Sequence, residues 1–214
     1  PSRYALITGL GYTFLIDKFW LNYIVKLLYK FALSSCHKVI FQNNDDKNLF
    51  IKSGLIRNNS SKSAVVNGSG VDIKIFNTSS YPEKISFLLI ARLLEDKGIR
   101  EYFQASSIIK KEFPDVSFGL AGWIDENPSA IKDEELQEKI DSGDIKFYGR
   151  LKDVRSAIEQ SSVYVLPSYR EGTPRTVLEA MAMGRPIITT NAPGCKETVV
   201  DGENGYLVPI KDVD

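Results

Sequence analysis

The chain has 214 residues, 43% of them hydrophobic and 25% charged, and its 27 Lys and Arg balance 27 Asp and Glu. That is the composition of an ordinary soluble globular protein of one or two domains. No run of about 18 apolar residues offers a membrane span, and no secretory leader is recognisable. The two cysteines, Cys36 and Cys195, form no CxxC pair, which fits a reducing, cytoplasmic setting and argues against a thiolate metal site. With His37 as the one histidine, neither a multi-histidine metal site nor a Ser-His-Asp triad is expected. Nothing in the zero net charge asks for a nucleic-acid partner.

In chain order, the first elements are a strand over 4–8, a helix over 18–33, a strand over 38–42, a helix over 45–52 and a strand over 64–66. Residues 67–84, "NGSGVDIKIFNTSSYPEK", are rich in turn formers and read as a connection between domains. From there short apolar runs alternate with helical patterns. "ISFLLIA" (85–91) is β-branched and continuous, as a buried parallel strand should be. "KGIREYFQASSIIKKEF" (97–113) carries Ile99, Tyr102, Phe103, Ile108 and Ile109 with a helical period. Strands follow at 116–121, 145–148, 163–166, 186–190 and 206–208. Helices are expected near 132–140, 154–160, 173–183 and 196–200.

Strand–helix alternation at this spacing predicts an α/β fold with parallel sheets and helices on both faces. The domain reading is 1–76 as the tail of one Rossmann-like domain, 77–84 as linker, and 85–214 as most of a second. Pro1 is no initiator methionine and strands lie close to both ends, so the chain reads as a piece of a longer one. The charge is uneven: residues 1–80 hold ten Lys and Arg against four Asp and Glu, a net of +6, and the remainder a net of −6. Domains with different partners and mere uneven surface decoration both account for this.

In open parallel sheets, ligands bind outside the carboxyl ends of the strands. The candidate loops are therefore those after each strand, at 92–97, 122–123, 149–151, 168–173 and 190–194. Arg92 and Lys97 in "ARLLEDKGI" suit a diphosphate, whose charge they would neutralise; a ligand-free surface pair is the plain alternative. A lysine directly before a helix is unfavourable for the dipole, which favours the ligand reading. In "SYREGTPRTVLEAMAMGRPIITT", Gly172 and Pro174 turn the backbone sharply into a helix. The N–H groups near Thr173, Arg175 and Thr176 are expected to form an anion site. Glu179 lies two turns beyond Glu171, in apolar surroundings where a carboxylate needs partners. A carboxylate beside a nucleotide commonly accepts from ribose hydroxyls. Acidic residues also favour first helical turns, and that alone explains Glu171. No GxGxxG, Walker A or metal-ligand spacing is present, which lowers oxidoreductase and P-loop readings.

These segments carry a resemblance. "EGTPRTVLEAMAMGRPII" resembles the E-x7-E segment of the retaining GT-B glycosyltransferases of the glycosyl transferases group 1 family. "ARLLEDKGI" is similar to that family's Arg…Lys segment, "NGSGVDIKIF" to its linker, and "APGCKETVVDGENGYLVP" to its closing segment. Within the family, "ITGLGYTF", "FQNNDDKNLFIKSGLI" and "AGWIDENPSAI" are most similar to bacterial enzymes of capsule, O-antigen and lipid-linked oligosaccharide synthesis. The resemblance implies transfer from a nucleotide-sugar donor, a UDP-sugar by the family's habit, to a glycan or polyprenyl-linked glycan, with retained configuration and no metal or cofactor. It implies that Arg92 and Lys97 bind the diphosphate and help it leave, and that Glu171 contacts the donor sugar. Backbone amides from Thr173 through Pro174 and Arg175 to Thr176, next to Gly172, would cradle sugar and phosphate. Glu179 would hold the ribose, and Arg150 and Leu151 would frame the base. Many relatives have a histidine where Thr8 stands. A nucleotide-sugar epimerase and a non-catalytic nucleotide-sugar-binding module are the alternative functions.

Residues 14–31 carry Phe14, Phe19, Trp20, Tyr23, Leu27 and Phe31 with Lys18, Lys26 and Lys30 interleaved. Two readings stay open. Such a helix can lie on an anionic membrane, at the inner face of the cytoplasmic membrane near a lipid-linked acceptor, or pack into the domain core.

Overall fold

The computed structural model describes residues 2–10, 19–57 and 61–214, with only the backbone of Phe19. It divides the chain into two compact units. One is Pro1–Ser69 with Glu171–Pro174; the other is Gly70–Arg170 with Arg175–Asp214.

In the first unit, β1 (Tyr4–Ile7), β2 (Lys38–Phe41) and β3 (Ser63–Val65) form a parallel sheet in that order. Helices α1 (Phe19–Ser34) and α2 (Asn44–Lys52) follow β1 and β2. Ile7, Leu33, Val39, Phe41, Phe50 and Leu55 make its core, with the Phe41 and Phe50 rings edge-on at 5.1 Å. Asn43 starts α2 by accepting the Asp46 N–H at 2.8 Å, which satisfies one of the helix's open donors. The start of α1 expected at Lys18, and Phe14, lie outside the described residues.

The second unit holds β4 (Ser86–Ile90), α3 (Ile99–Glu112), β5 (Ser117–Ala121), α4 (Asp133–Asp141), β6 (Lys146–Phe147), α5 (Arg155–Glu159), β7 (Val163–Leu166), α6 (Arg175–Ala182), β8 (Ile187–Thr190) and β9 (Gly205–Val208). All six strands are parallel, in the order β6-β5-β4-β7-β8-β9. The sheet is buried on both faces. Leu88 and Ile90 of β4 pack with Tyr164, Val177 and Ala180 under α5 and α6, while Leu89 packs with Ile99, Tyr102 and Phe103 under α3. Side chains alternate across a strand, so two buried faces require an unbroken apolar run, which is the pattern of 85–91.

Where the structure departs from the expected elements, the reasons are local. The helix expected over 97–113 begins at Ile99, because Gly98 takes a left-handed φ of 68° and separates it from a 3-10 turn at Glu95–Lys97. The helix expected over 173–183 begins after Pro174. The short one at 196–200 is a 3-10 turn, Lys196–Thr198.

The turn-rich stretch 70–84 packs as part of the second unit. The Ser79 N–H donates to the Met183 carbonyl at 3.3 Å and the Tyr81 hydroxyl to the Gly184 carbonyl at 2.8 Å. The Arg185 side chain, with the residue only 2% exposed, donates to the carbonyls of Ile158 (3.1 Å), Ser79 (3.3 Å) and Ser80 (2.9 Å). Turn-forming composition signals the absence of regular structure, not the absence of packing.

Candidate active site

After β4 the chain runs outward through α3 to β5 and β6. It then returns through α5 to β7, which lies beside β4 on the other side. That reversal is the topological switch point, where open α/β sheets bind ligands. The loops after β4 and β7 meet there. The Tyr169 N–H donates to the Asp96 carbonyl at 2.8 Å, and the Ser168 hydroxyl to the same carbonyl at 3.0 Å. A Cβ on Gly98 would stand 2.2 Å from the Pro167 carbonyl oxygen, so this approach needs a glycine. The β5 loop is drawn in likewise: a Cβ on Gly122 would meet the Ala91 carbonyl oxygen at 1.9 Å, and the Gly122 N–H donates to the Gly149 carbonyl.

On this edge of the second sheet stand Arg92, Lys97, Arg150, Leu151, Arg175, Thr176 and Glu179. The Arg92 Nη1 lies 3.1 Å from the Asp125 carboxylate on the β5 loop, its side chain half-exposed. The Lys97 Nζ lies 3.7 Å from Asp96, and its side chain is only 14% exposed. Lys97 also closes the 3-10 turn, where a cation suits the local dipole. The expectation that dipole repulsion marks Lys97 as a ligand group is thereby weakened, and its burial at the switch point is the better argument. The Arg150 guanidinium stacks on the Trp123 ring at 4.6 Å, and Leu151 packs on the core under α5.

Glu179 is 7% exposed on the inner side of α6, and the Arg175 Nε donates to it at 2.9 Å. Burial holds its carboxyl above the usual carboxylate range, with Arg175 pulling the other way. Between the unfolded value near 4.3 and this raised folded value, the native state binds more protons than the unfolded one. Stability from this group is therefore greatest below that window and falls as pH rises through it. Glu179→Gln is expected to flatten this slope. Urea midpoints of both proteins from pH 4 to 7 would show it, and parallel profiles would refute it.

Glu171, Gly172, Thr173 and Pro174 fall in the first unit, on the carboxyl ends of β1 and β2. The Asn43 amide donates to the Gly172 carbonyl at 2.9 Å and the Glu171 carbonyl at 3.3 Å. The Thr173 N–H donates to Gln42 Oε1 at 3.2 Å, so it is not among the open donors expected of that turn. In the first turn of α6, the Arg175 and Thr176 N–H groups have no intrahelical acceptor. A Cβ on Gly172 would fall 2.0 Å from the Thr8 carbonyl oxygen, so no other residue fits there. Gln42 and Asn43, which hold this turn, were missed in the sequence. Their signal was "FQNNDD", a polar run with an N-cap asparagine directly after a strand. Tyr169 was missed as well. Its hydroxyl donates to Glu101 at 2.7 Å, and burial first, then Glu101, raises its pKa above the usual range.

Among the described residues no group of three His, Cys, Asp or Glu is placed to hold a metal ion, and no helix is long and apolar enough to cross a membrane.

Residues 84–214 match the model of the family described as glycosyl transferases group 1. The N,N'-diacetylbacillosaminyl-diphospho-undecaprenol alpha-1,3-N-acetylgalactosaminyltransferase of Campylobacter jejuni is 30% identical over 99% of this chain and 58% of its own length. The UDP-Gal:alpha-D-GlcNAc-diphosphoundecaprenol alpha-1,3-galactosyltransferase of Escherichia coli is 28% identical over 89% of this chain and 53% of its own. The chain thus spans little more than half the length of these curated relatives. Among solved structures, Anabaena Alr3699/HepE in complex with UDP-glucose aligns with a TM-score of 0.79 at 19% identity, over 99% of this chain and 59% of that one. Sucrose-phosphate synthase from Thermosynechococcus elongatus aligns at 0.78 and 19%, over 98% and 55%. With a family model matching more than half of it and the parallel sheets of GT-B enzymes, the chain belongs to the glycosyl transferases group 1 family and has the GT-B type of fold.

Proposed function

We propose that the protein is a glycosyltransferase of bacterial surface polysaccharide synthesis. It moves a sugar from a nucleotide-diphosphate sugar, a UDP-sugar in the first instance, to a glycan or polyprenyl-linked glycan, retaining the anomeric configuration and needing no metal or other cofactor. The observation that carries this is the switch point of the second sheet, where two cations and a buried carboxylate share one edge. The curated names of the Campylobacter and Escherichia relatives support the polyprenyl-linked acceptor, and the UDP-glucose held by the Anabaena structure supports the donor.

In this reading Arg92 and Lys97 take up the negative charge of the departing diphosphate, and the first-turn amides of Arg175 and Thr176 assist. Glu179 accepts from the ribose hydroxyls, Arg150 and Leu151 frame the base, and Glu171 with Gly172, Thr173 and Pro174 faces the donor sugar. An acceptor of this class is met at the inner face of the cytoplasmic membrane, so peripheral membrane association belongs to the proposal. Epimerisation of the donor and binding without chemistry are the alternatives, and neither relative bears such a name.

Thermal unfolding of the full-length protein against UDP, GDP, ADP and their sugar conjugates, with Mg²⁺ or with EDTA, tests the donor site. Saturation at ~100 Kd adds about 2.7 kcal/mol of stability. The expected result is stabilisation by uridine nucleotides alone, equal with and without metal, and lost in Glu179→Ala. No shift with any nucleotide overturns the assignment. Supplying acceptor then separates transfer from epimerised donor or no reaction.

A further inference from the structure

Helix α1 turns its most apolar side outward. At 3.6 residues per turn, Trp20, Ile24, Leu27 and Phe31 form one stripe, with Tyr23 and Leu28 beside it. Their exposures run from 51% for Leu27 to 75% for Trp20 and 83% for Phe31. The side facing the sheet is carried by Val25, Tyr29 and Leu33, of which Leu33 is fully in the core and Tyr29 packs edge-on against Phe50 at 5.3 Å. The helix contains no acidic residue. Isolated exposed hydrophobes are ordinary on protein surfaces, but a contiguous stripe of this length marks a surface that something covers.

The charge says what covers it. Lys26 and Lys30 lie one turn apart along a single flank of the stripe. Beyond Lys30 opens a cavity of about 720 Å³ lined by Lys30, Arg57 and Lys62 over a floor of Leu33, Val39 and Leu55. The Lys62 Nζ reaches the Ser34 carbonyl at 3.4 Å at the end of the helix. This cavity lies at the amino ends of β2 and β3, away from the carboxyl edge of the same sheet where Glu171 to Pro174 stand. An apolar stripe bordered by cations on one flank is the pattern of a helix lying in the plane of a negatively charged membrane, rings among the acyl chains and ammonium groups at the phosphates.

We propose that the outward face of α1, with Lys26, Lys30, Arg57 and Lys62, docks on an anionic lipid bilayer. This deepens the membrane part of the proposed function and rests on that reading for its purpose, while the surface itself is argued from the helix alone. Because α1 connects two adjacent parallel strands, it runs back from the carboxyl edge of the sheet to its amino edge. A membrane along it would reach from the edge that carries Asn43 to the basic cavity.

Co-sedimentation of the full-length protein with vesicles of phosphatidylcholine, alone or with phosphatidylglycerol, tests this. Binding is expected with the anionic vesicles and not with the neutral ones, and is expected to weaken with salt. A lysine near an anionic surface contributes roughly a factor of five, so Lys26→Ala with Lys30→Ala should lower partitioning about 30-fold. Trp20→Ser with Phe31→Ser should abolish it. All these positions are exposed, so the variants should keep the unfolding temperature and nucleotide-induced stabilisation of the parent, which separates this test from that of the donor site. Absence of binding, or equal binding by parent and variants, overturns the proposal. So does loss of binding to millimolar inorganic phosphate, which would make the cavity a free-anion site. Amide-exchange protection of α1 without lipid, or a dimer that the Trp20 and Phe31 changes dissolve, would name a protein segment or a second copy as the occupant and equally overturn it.

Discussion

On the proposed function, Lys97→Met is expected to slow sugar transfer by the full-length protein two to three orders of magnitude, with a much smaller loss in donor affinity. The physical reason is where charge appears. In the bound donor the diphosphate charge is shared with the sugar bond, and when that bond breaks a full extra charge collects on the leaving oxygens. A fixed cation aimed at that position stabilises the transition state more than the ground state, and loss of one such donor from a water-poor site costs roughly 10²- to 10³-fold. Both cations have a carboxylate neighbour, Asp96 at 3.7 Å from Lys97 and Asp125 at 3.1 Å from Arg92, but the Lys97 side chain is 14% exposed and that of Arg92 48%. Arg92→Ala should therefore cost less than Lys97→Met. Methionine keeps the apolar stem, so the loss reports charge and not packing. Single-turnover rates at saturating donor measure it; an unchanged rate would remove Lys97 from the chemistry, and a weakened Kd with unchanged turnover would make it a ground-state binder only.

Gly98→Ala is expected to cost about 3 kcal/mol of stability. Its φ of 68° costs an L-residue roughly 1–2 kcal/mol, and the new methyl group would stand 2.2 Å from the Pro167 carbonyl oxygen, a backbone atom that moves only with the β7 loop. That movement also strains the bonds from Tyr169 and Ser168 to the Asp96 carbonyl. For a protein of this size the unfolding temperature should fall by roughly 2–4 °C per kcal/mol. Gly143→Ala is the built-in control. Its φ is similar, at 73°, but a Cβ there meets nothing within 4 Å, so only the conformational cost of about 1 kcal/mol should appear. Thermal melts of the two variants isolate the difference. Equal losses would mean that the loops at the switch point are not pressed together as described.

What could be read in the residues was whatever a segment determines about itself. The unbroken run at 85–91 announces a strand buried on both faces, since alternate side chains of β4 must each meet a core. Helical periods announced α3 and α6, and the strand ends announced the candidate loops, since open parallel sheets bind ligands there. The segment from Glu171 to Glu179 and the Arg92…Lys97 spacing carried the family, which the matched residues bear out.

Relations between distant segments were not legible. No local pattern sets the strand order that places β7 beside β4, so none revealed which two loops meet at Gly98. Asp125 lies 33 residues beyond Arg92, and Gln42 lies 131 residues before Thr173, whose amide it takes. The stretch 67–84 was read as a connection from its turn formers, and no local pattern announced that its Ser79 and Ser80 meet Arg185 and Met183, about a hundred residues further on. The outward turn of α1 was equally beyond the sequence. An apolar helix satisfies a core and a membrane alike, and only the sheet beneath it, burying Leu33 and leaving Phe31 exposed, decides which side is left for a partner. Periodicity and propensity are properties of neighbours along the chain, whereas pairing, burial and the capture of a free amide are set by neighbours in space. The sequence by itself therefore determined the family and most of the elements and singled out the candidate residues, and the tertiary structure decided which of those candidates are buried, paired or open.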